Sequence, residues 1–465
     1  MILKDLKDIE SLNYQVVIIG SGPAGVSLAL TLEKEKINSI IIEAGEKDYN
    51  EESQKNYEGK TNGDLQDDIS TTRLRQFGGT SGHWGGWCHP LGSYDFIEWP
   101  IKKSEIDFFL EDACSILEIK KKFNTSRINK NFNQTEFQYS QIRFAEKYFE
   151  HIKKSNHIHL ILNTQFSLFD GNNGVVDSAL LFSNNIEKKI YSKFFILACG
   201  GIENSRLLLW NQKKNPHLLN KNLPIGNYWM IHPWVIAGDG LIYRDKVIKI
   251  SKLDTDDNLL HFSTSHEFTY NNLAGSIYLA PFKNIKLYKK FITDIICVAP
   301  EYGKKIINSI LNKNIKCGNI FLHLEDKKDF NNKITLSDDK DIFNIPKCVV
   351  NYKFKEDVVK SAKIIMENFA KCCVENDLGR ISVKNNILNL KKLETLGAHH
   401  HIGGTIMGLD EKNSVVDKTL KVHGLKNLYI AGSSTFSSTG YANPTLTIVQ
   451  LSIRLAGEIK KNLKV

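Results

Sequence analysis

The sequence predicts a mixed α/β protein: a Rossmann-like nucleotide-binding domain built from discontinuous segments, with a second domain inserted into it. Three observations predict this. The first is a buried-strand run, Val16-Val17-Ile18-Ile19, that leads into Gly20-Ser21-Gly22-Pro23-Ala24-Gly25 and a helical pattern. A second apolar run, Ser39 to Ile42, then ends at Glu43. The second observation is the same strand–turn–helix order at Phe194-Phe195-Ile196-Leu197, Gly200-Gly201 and the apolar residues after them. The third is a return to strand-then-glycine near the C-terminus, Leu428-Tyr429-Ile430-Ala431-Gly432. Residues 231–390 between these pieces change character: strand-like runs, two lysine-rich helical segments and few glycines.

Each glycine of the first junction has a separate reason. Gly20 permits the tight turn, Gly22 lets the backbone approach a pyrophosphate, and Gly25 lets the helix pack close to the strand. The helix N-terminus then faces phosphates with unpaired N–H groups and its positive dipole end. Glu43 is placed to accept hydrogen bonds from a ribose 2′-hydroxyl. The turn before the second strand, Lys36-Ile37-Asn38, has no glycine, so Asn38 is expected in the left-handed conformation there.

Further along, helical patterns run over about 103–118 and 140–154. Residues 158–199 alternate short apolar runs with turns such as Asp170-Gly171-Asn172-Asn173-Gly174, which predicts a meander. A long helix from Thr445 to about Lys461 closes the chain. The expected division is a nucleotide domain of residues 1–100, 155–230 and 391–465. The substrate domain takes 101–154 and 231–390, with a mainly antiparallel sheet flanked by helices.

Bulk properties narrow the function. At 465 residues the chain accommodates two or three domains with large cores. Its 42% apolar and 24% charged content is that of an ordinary globular protein. The net charge of +9 is spread over scattered lysines, with modest clusters at Lys120–Lys122 and Lys304-Lys305 that read as solvated faces. No nucleic-acid partner is expected. The eight cysteines have no metal spacing and read as reduced thiols. The first residues are charged rather than leader-like, and no stretch has the length of a membrane span. The expectation is a cytoplasmic protein without an integral membrane segment.

Three clusters far apart in sequence carry the chemistry. They are Gly78-Gly79-Thr80-Ser81-Gly82-His83-Trp84-Gly85-Gly86, His399-His400-His401-Ile402-Gly403-Gly404-Thr405, and Thr439-Gly440-Tyr441-Ala442-Asn443-Pro444-Thr445. Glycines in such number allow backbone to lie flat against a planar ring system. Histidine supplies a base that works near neutral pH. Asn443-Pro444-Thr445 stands just before the closing helix, where a side chain and free helix N–H groups can aim at a ligand.

With these residues in view, the chain resembles the glucose–methanol–choline (GMC) oxidoreductase superfamily over nearly its full length. The motifs stand in order: the N-terminal fingerprint, Gly78-Gly79-Thr80-Ser81, Trp99-Pro100-Ile101, Ala198 to Glu203, Gly226-Asn227 with His232-Pro233, and the two C-terminal clusters. It is most similar to the branch of pyranose oxidases and bacterial sugar or sugar-acid dehydrogenases, through Ser81-Gly82-His83-Trp84, His401 to Thr405, and Ala442 to Thr447.

The resemblance implies FAD as cofactor and oxidation of a primary or secondary hydroxyl of a sugar, sugar derivative or polyol. It maps the family's catalytic pair onto His401 and Asn443. His401 takes the hydroxyl proton while hydride leaves for flavin N5, and Asn443 orients the hydroxyl. Coupling the two departures avoids a free alkoxide. His399 and His400 adjoin His401; the register of the motif picks the third, with His400 the next candidate. By the same mapping Gly20, Gly22, Pro23 and Ala24 hold the FAD phosphates and Glu43 the ribose. Gly79, Thr80, Ser81, His83, Trp84 and Gly85 run along the isoalloxazine. Gly432, Ser433, Asn443, Pro444 and Thr445 cover its pyrimidine side, and Arg75 and Gly200 complete the cofactor contacts. No metal is implied.

His83 matches the position where pyranose oxidases attach flavin covalently, although related dehydrogenases keep a histidine there with FAD bound reversibly. Gly85 replaces the side-chain-bearing residue those oxidases place near N5, which favours a dehydrogenase over an oxidase. His232-Pro233 reads as a residue pair shaping a domain crossover, and His89 as a packed loop residue. Trp84 and Trp87 read either as pocket lining or as core. The partners implied are a small alcohol or sugar and an electron acceptor: oxygen, a quinone or a redox protein. Relatives with quinone or cytochrome acceptors often pair with a small accessory subunit that carries the export signal, and such an escort would move the protein to the periplasm. Polar residues among 255–275 lean toward a carbohydrate. The alternatives are a sterol or other apolar alcohol on the same fold, or a lyase that keeps FAD structurally.

Overall fold

The computed structural model describes residues 1–9, 14–65, 67–243, 260–281, 315–389 and 399–464. One of the two expected lysine-rich helical segments, around 284–314, lies outside the described residues.

The centre is a six-stranded sheet, every pair parallel, in the order Ile2–Leu3, Ile158–Ile161, Ser39–Ile42, Val16–Ile19, Phe194–Leu197, Leu428–Ile430. Val16–Ile19, Ser39–Ile42 and Phe194–Leu197 are buried at every position. That explains their unbroken apolar runs, since a parallel sheet is covered on both faces. The helix Pro23–Lys34 makes the first crossover, and the closing helix Thr445–Leu463 packs beside it. Strands Gln165–Asn172, Val175–Ser183 and Ile186–Tyr191 form the antiparallel meander read from the turns.

The Pro23 helix ends differently from the expectation. Lys36, not Asn38, takes the left-handed conformation, with φ 57°. Lys36 N–H donates to Glu33 O at 2.9 Å and Ile37 N–H to Leu32 O at 3.1 Å. This is a Schellman cap, which requires the left-handed residue at the first position beyond the helix. The turn is thus the end of the helix itself, and only Ile37 and Asn38 separate Lys36 from the strand.

A seven-stranded antiparallel sheet forms the second layer system: Gly379–Val383, Trp234–Tyr243, Ile315–Leu324, Gly275–Pro281, Leu260–Thr264, Phe132–Thr135, Thr125–Arg127. The helix Glu356–Glu375 covers one face of it. Val358, Ala362, Ile365, Met366, Phe369, Cys372 and Cys373 recur at three- and four-residue spacing and join the sheet's core.

The expected boundary at 101–154 is corrected here. Only Thr125–Arg127 and Phe132–Thr135 enter the antiparallel sheet. The flanking helices Lys103–Asp107, Leu110–Leu117 and Phe144–Lys154 bury Ile106, Ala113, Leu117, Phe144 and Ile152 in the core of the parallel sheet. Helical periodicity announces an apolar face but not which sheet will cover it.

A third sheet ties the two together. Lys333–Lys340 pairs antiparallel with Pro346–Tyr352, which pairs parallel with Gly59–Gly63. Behind it lies a fully buried charge cluster. Arg73 Nη1 donates to Glu203 Oε2 at 2.7 Å, and Arg206 bridges the other Glu203 oxygen to Asp341 Oδ2. Arg206 Nε also donates to Pro346 O at 2.6 Å, and the Arg73 guanidinium lies 4.2 Å over the Tyr57 ring. Two guanidiniums balance two carboxylates, so the cluster is neutral as a unit. Glu203→Ala leaves two arginines facing one carboxylate in the interior. It is expected to lower unfolding free energy by about 3–5 kcal/mol, read from the urea midpoint; a change within error would show that water compensates the cluster.

Candidate active site

One cavity of about 620 Å³ runs between the first glycine loop, the Gly78–Gly86 loop and the seven-stranded sheet. Its wall contains Gly20, Gly22, Pro23, Ala24, Glu43 and Arg75. It also contains Gly79, Thr80, Ser81, His83, Trp84, Gly85 and Gly200, together with His401, Gly432, Ser433, Asn443, Pro444 and Thr445. The three sequence clusters therefore meet at a single place.

The glycines of the first junction have three distinct surroundings. At Gly20, φ is 105° and a Cβ would stand 2.5 Å from Ala198 O. At Gly25 a Cβ would fall 2.0 Å from Gly20 O, so the helix can approach the loop only without a side chain. At Gly22 a Cβ would meet nothing within 4 Å: the space belongs to the cavity. A Cβ at Gly79 would lie 3.1 Å from Gly22 Cα, so the second glycine loop presses on the first. Ser21 joins them. Its hydroxyl donates to Glu43 Oε2 at 2.5 Å and accepts from Gly78 N–H at 3.1 Å.

Glu43 is more constrained than the sequence suggests. Oε2 accepts from Ser21 N–H as well, at 3.1 Å, and Oε1 from Gly45 N–H at 2.7 Å. Burial raises its pKa against these hydrogen bonds and the charge of Arg75. It organises the loop in addition to facing the cavity. Arg75 is held by Gln165 Oε1 at 2.9 Å and by Ser53. Trp84 and Trp87 both reach the cavity wall; Trp84 Nε1 donates to Ile142 O at 2.9 Å, and Trp87 packs on Tyr139 and His261. His89 is buried, with Nδ1 2.8 Å from Pro90 O and its ring 4.8 Å from Phe137, as a packed residue.

The histidine run separates into different environments, and here the structure departs from the sequence reading. Asn443 Nδ2 lies 3.2 Å from His400 Nε2, not from His401. His401 Nε2 instead lies 3.1 Å from Thr72 Oγ1, and its ring faces Trp229 at 5.9 Å. The backbone explains the split. His401 O accepts from Ser433 Oγ at 2.6 Å, and a Cβ on Gly201 would lie 2.2 Å from the same oxygen. Ile402 pairs with Met230 in both directions, at 2.8 and 3.0 Å. With residues 401 and 402 pinned, the His401 side chain meets Thr72, and His400 is the one turned to Asn443. The pairing of Asn443 with His401 is corrected to His400.

Sequence reasoning missed the residues that the inserted sheet supplies. Trp234, Tyr278 and His323 line the cavity. Tyr278 and Trp234 each stack on Phe321, the former at 5.0 Å and 5° between planes. His232, read as a crossover residue, is fully buried with Nδ1 2.8 Å from His400 Nδ1. Its one sequence signal was the His232-Pro233 pair after Gly226-Asn227; Trp234, Tyr278 and His323 carried none.

The cluster is electrically neutral. Burial pushes His400 well below histidine's ordinary range, reinforced by His232 and His323. Burial likewise holds His232 at about 4, His323 at about 3 and His401 at about 3. A buried neutral imidazole is a proton acceptor whose charged form is paid for only when a reaction develops opposite charge beside it.

The wall fits FAD on its own features. The first turn of the Pro23 helix offers N–H groups without helical partners, Gly22 leaves the approach open, and the glycine loops give backbone surfaces for a flat ring. Gly22→Val and Gly25→Val separate folding from binding. Gly22→Val is expected to keep the thermal midpoint and lose bound flavin absorbance. Gly25→Val is expected to lose the fold, because its side chain meets backbone. Equal behaviour of the two would contradict the assignment.

Known proteins share the fold and the cofactor-binding segment. Residues 329–452 match the model of the GMC oxidoreductase family, and residues 13–58 match an FAD binding domain. The fructose dehydrogenase large subunit of Gluconobacter japonicus is 30% identical over 290 residues, 59% of this chain and 48% of the relative. The 2-methyl-1,2-propanediol dehydrogenase of Mycolicibacterium austroafricanum is 23% identical over 287 residues, 59% of this chain and 49% of the relative. The matches thus span about half the length of these curated relatives. An FAD-dependent oxidoreductase from Chaetomium thermophilum shares the fold with a TM-score of 0.61 at 13% identity, over 97% of this chain and 100% of that one. Among the described residues no helix is long and apolar enough to cross a membrane. The C-terminal segment, residues 329–452, is thus that of a GMC oxidoreductase and the N-terminal segment, residues 13–58, that of an FAD binding domain, and FAD is the cofactor.

Proposed function

We propose that the protein oxidises a hydroxyl of a sugar, sugar derivative or polyol, with His400 as proton acceptor and Asn443 as the group that orients the hydroxyl. The observation that carries this is the 3.2 Å approach of Asn443 Nδ2 to His400 Nε2 at the cavity wall. A substrate oxygen seated against both would replace this hydrogen bond, donating its proton to the imidazole and accepting from the amide. When bound, FAD supplies the two-electron sink for the hydride of the same carbinol carbon.

The protein's residues provide position and dryness. Gly20, Gly22 and Ala24 would hold the pyrophosphate and Glu43 the ribose. Gly79 to Gly85 and Gly432 to Thr445 would flank the ring, with His83 beside it. Trp234 and Tyr278 give the substrate a stacked aromatic wall, the surface that the C–H face of a sugar ring packs on. The likeness to a fructose dehydrogenase subunit supports the sugar class. Its description as a large subunit supports an accessory partner, with an electron acceptor other than oxygen. A second reading, oxidation of a small non-sugar alcohol on the same scaffold, rests on the likeness to a propanediol dehydrogenase.

Anaerobic titration of the yellow protein with sugars, sugar acids, polyols, 2-methyl-1,2-propanediol and a sterol decides among these. Bleaching by the carbohydrate class is expected; bleaching only by the diol selects the second reading, bleaching only by the sterol rejects both, and none with any alcohol rejects alcohol oxidation. His400→Ala is expected to keep FAD and slow flavin reduction by about a hundredfold or more. His401→Ala is expected to have a smaller effect; the reverse order would return the base to His401.

The pH dependence follows from burial. The reaction needs neutral His400, and its pKa lies below the ordinary value of 6.5. Protonation, and with it loss of rate, therefore sets in only below pH 6.5. Stopped-flow reduction rates should show no inflection between pH 6.5 and 7.5 from this group. An acid limb centred there would remove a buried histidine as base.

A further inference from the structure

We propose that His232 is a positioning residue that fixes His400 in the tautomer carrying its proton on Nδ1, so that Nε2 presents a bare lone pair to Asn443 and the cavity. This rests on the reading of His400 as proton acceptor.

The argument runs through the donors. His232 Nε2 lies 3.1 Å from Thr439 O and 3.0 Å from Gly440 O. Carbonyl oxygens only accept, so Nε2 carries a hydrogen. Burial keeps the His232 ring neutral, and its one proton is thereby committed. Nδ1 of His232 is left as an acceptor. The atom facing it at 2.8 Å is His400 Nδ1. Two lone pairs at that distance would repel, so His400 places its own proton there. His400 is neutral as well, and its Nε2 is bare. The amide N–H of Asn443 at 3.2 Å is the matching donor. The opposite tautomer of His400 would face lone pair to lone pair at His232.

The frame around this relay is closed. Thr439 and Gly440 belong to the loop that carries Asn443, so one loop aims the orienting amide and anchors the tautomer. Thr439 Oγ1 accepts from Asp326 N–H at 2.9 Å. Asp326 Oδ2 accepts from Tyr352 OH at 2.8 Å and from Ile231 N–H at 3.2 Å, the residue before His232. The His232 ring stands edge-on to His400, with centroids 5.0 Å apart and planes at 88°, which suits an in-plane N–H···N contact. His323 lies parallel to His232 at 6.5 Å and perpendicular to His400 at 6.0 Å, filling the remaining side.

The test has a spectroscopic and a kinetic arm. The holoenzyme labelled with ¹⁵N-histidine is examined by long-range ¹H–¹⁵N NMR, with His400→Ala assigning the His400 signals. The expected spectrum has protonated Nδ1 and unprotonated Nε2 on His400; a protonated Nε2 overturns the proposal. His232→Phe, with flavin content and thermal midpoint checked, is expected to slow flavin reduction by roughly 10²-fold at little-changed half-saturation. His232→Asn, which keeps an acceptor oxygen near the Nδ1 position, is expected to restore most of that rate. Equal rates for wild type and His232→Phe overturn the proposal. If His232→Phe does not fold, the wild-type spectrum decides alone. Should His400→Ala reduce flavin at the wild-type rate while the Nδ1–H spectrum stands, the base reading fails and the tautomer relay survives.

Discussion

The cavity depends first on the buried cluster of Arg73, Glu203, Arg206 and Asp341. These four residues come from the loop before the second glycine cluster, from the helix after the Gly200 turn and from the hairpin of the third sheet. Each ion alone would be costly in the interior, and together their charges balance, although Arg73 Nε is left without a hydrogen-bond partner. Removing any one element would strand the charges of the others, so the cluster makes the three elements move as one. It also sets the site directly. Arg73 is held by Glu203 and stacked on Tyr57, and its neighbour Thr72 meets the His401 ring.

On that frame, burial does most of the electrostatic work. Four histidines, His232, His323, His400 and His401, share a region without ordinary hydration, and burial pushes all of them down. None competes with the others for a proton at neutral pH. The hydrogen-bond polarity of His232 then follows from the backbone carbonyls of Thr439 and Gly440. Asp326 is a counterpart: burial raises its carboxyl to about 7 while Tyr352, Ile231 and Lys327 donate to it. It acts as a structural node that fixes the loop, and through it the ring of His232.

The inserted sheet completes the site that the nucleotide core begins. The parallel sheet and its glycine loops form one part of the cavity wall, where backbone approaches backbone closely at Gly20, Gly25 and Gly79. The antiparallel sheet adds Trp234, Tyr278 and His323 over the histidine–asparagine pair. On the proposed reading, the proton acceptor and the aromatic wall for the substrate come from different layers, the wall from strands whose sequence is least distinctive.

What the sequence determined by itself was whatever depends on backbone constraint and local period. The unbroken apolar runs of Val16–Ile19 and Phe194–Leu197 state a doubly covered strand, and Gly20, Gly22 and Gly25 state a loop that admits no side chain, or only one that fills the cavity. These signals are legible because they arise within a few residues. Only the tertiary structure decided which of three consecutive histidines meets Asn443, since that depends on Gly201 and Ser433 gripping the carbonyl of His401 from distant segments. It alone decided that the helices at 103–117 and 144–154 join the parallel sheet, and that His232 touches His400 across 168 positions of chain. Side-chain direction and partner choice are set by contacts between remote segments, and a linear pattern carries no record of them.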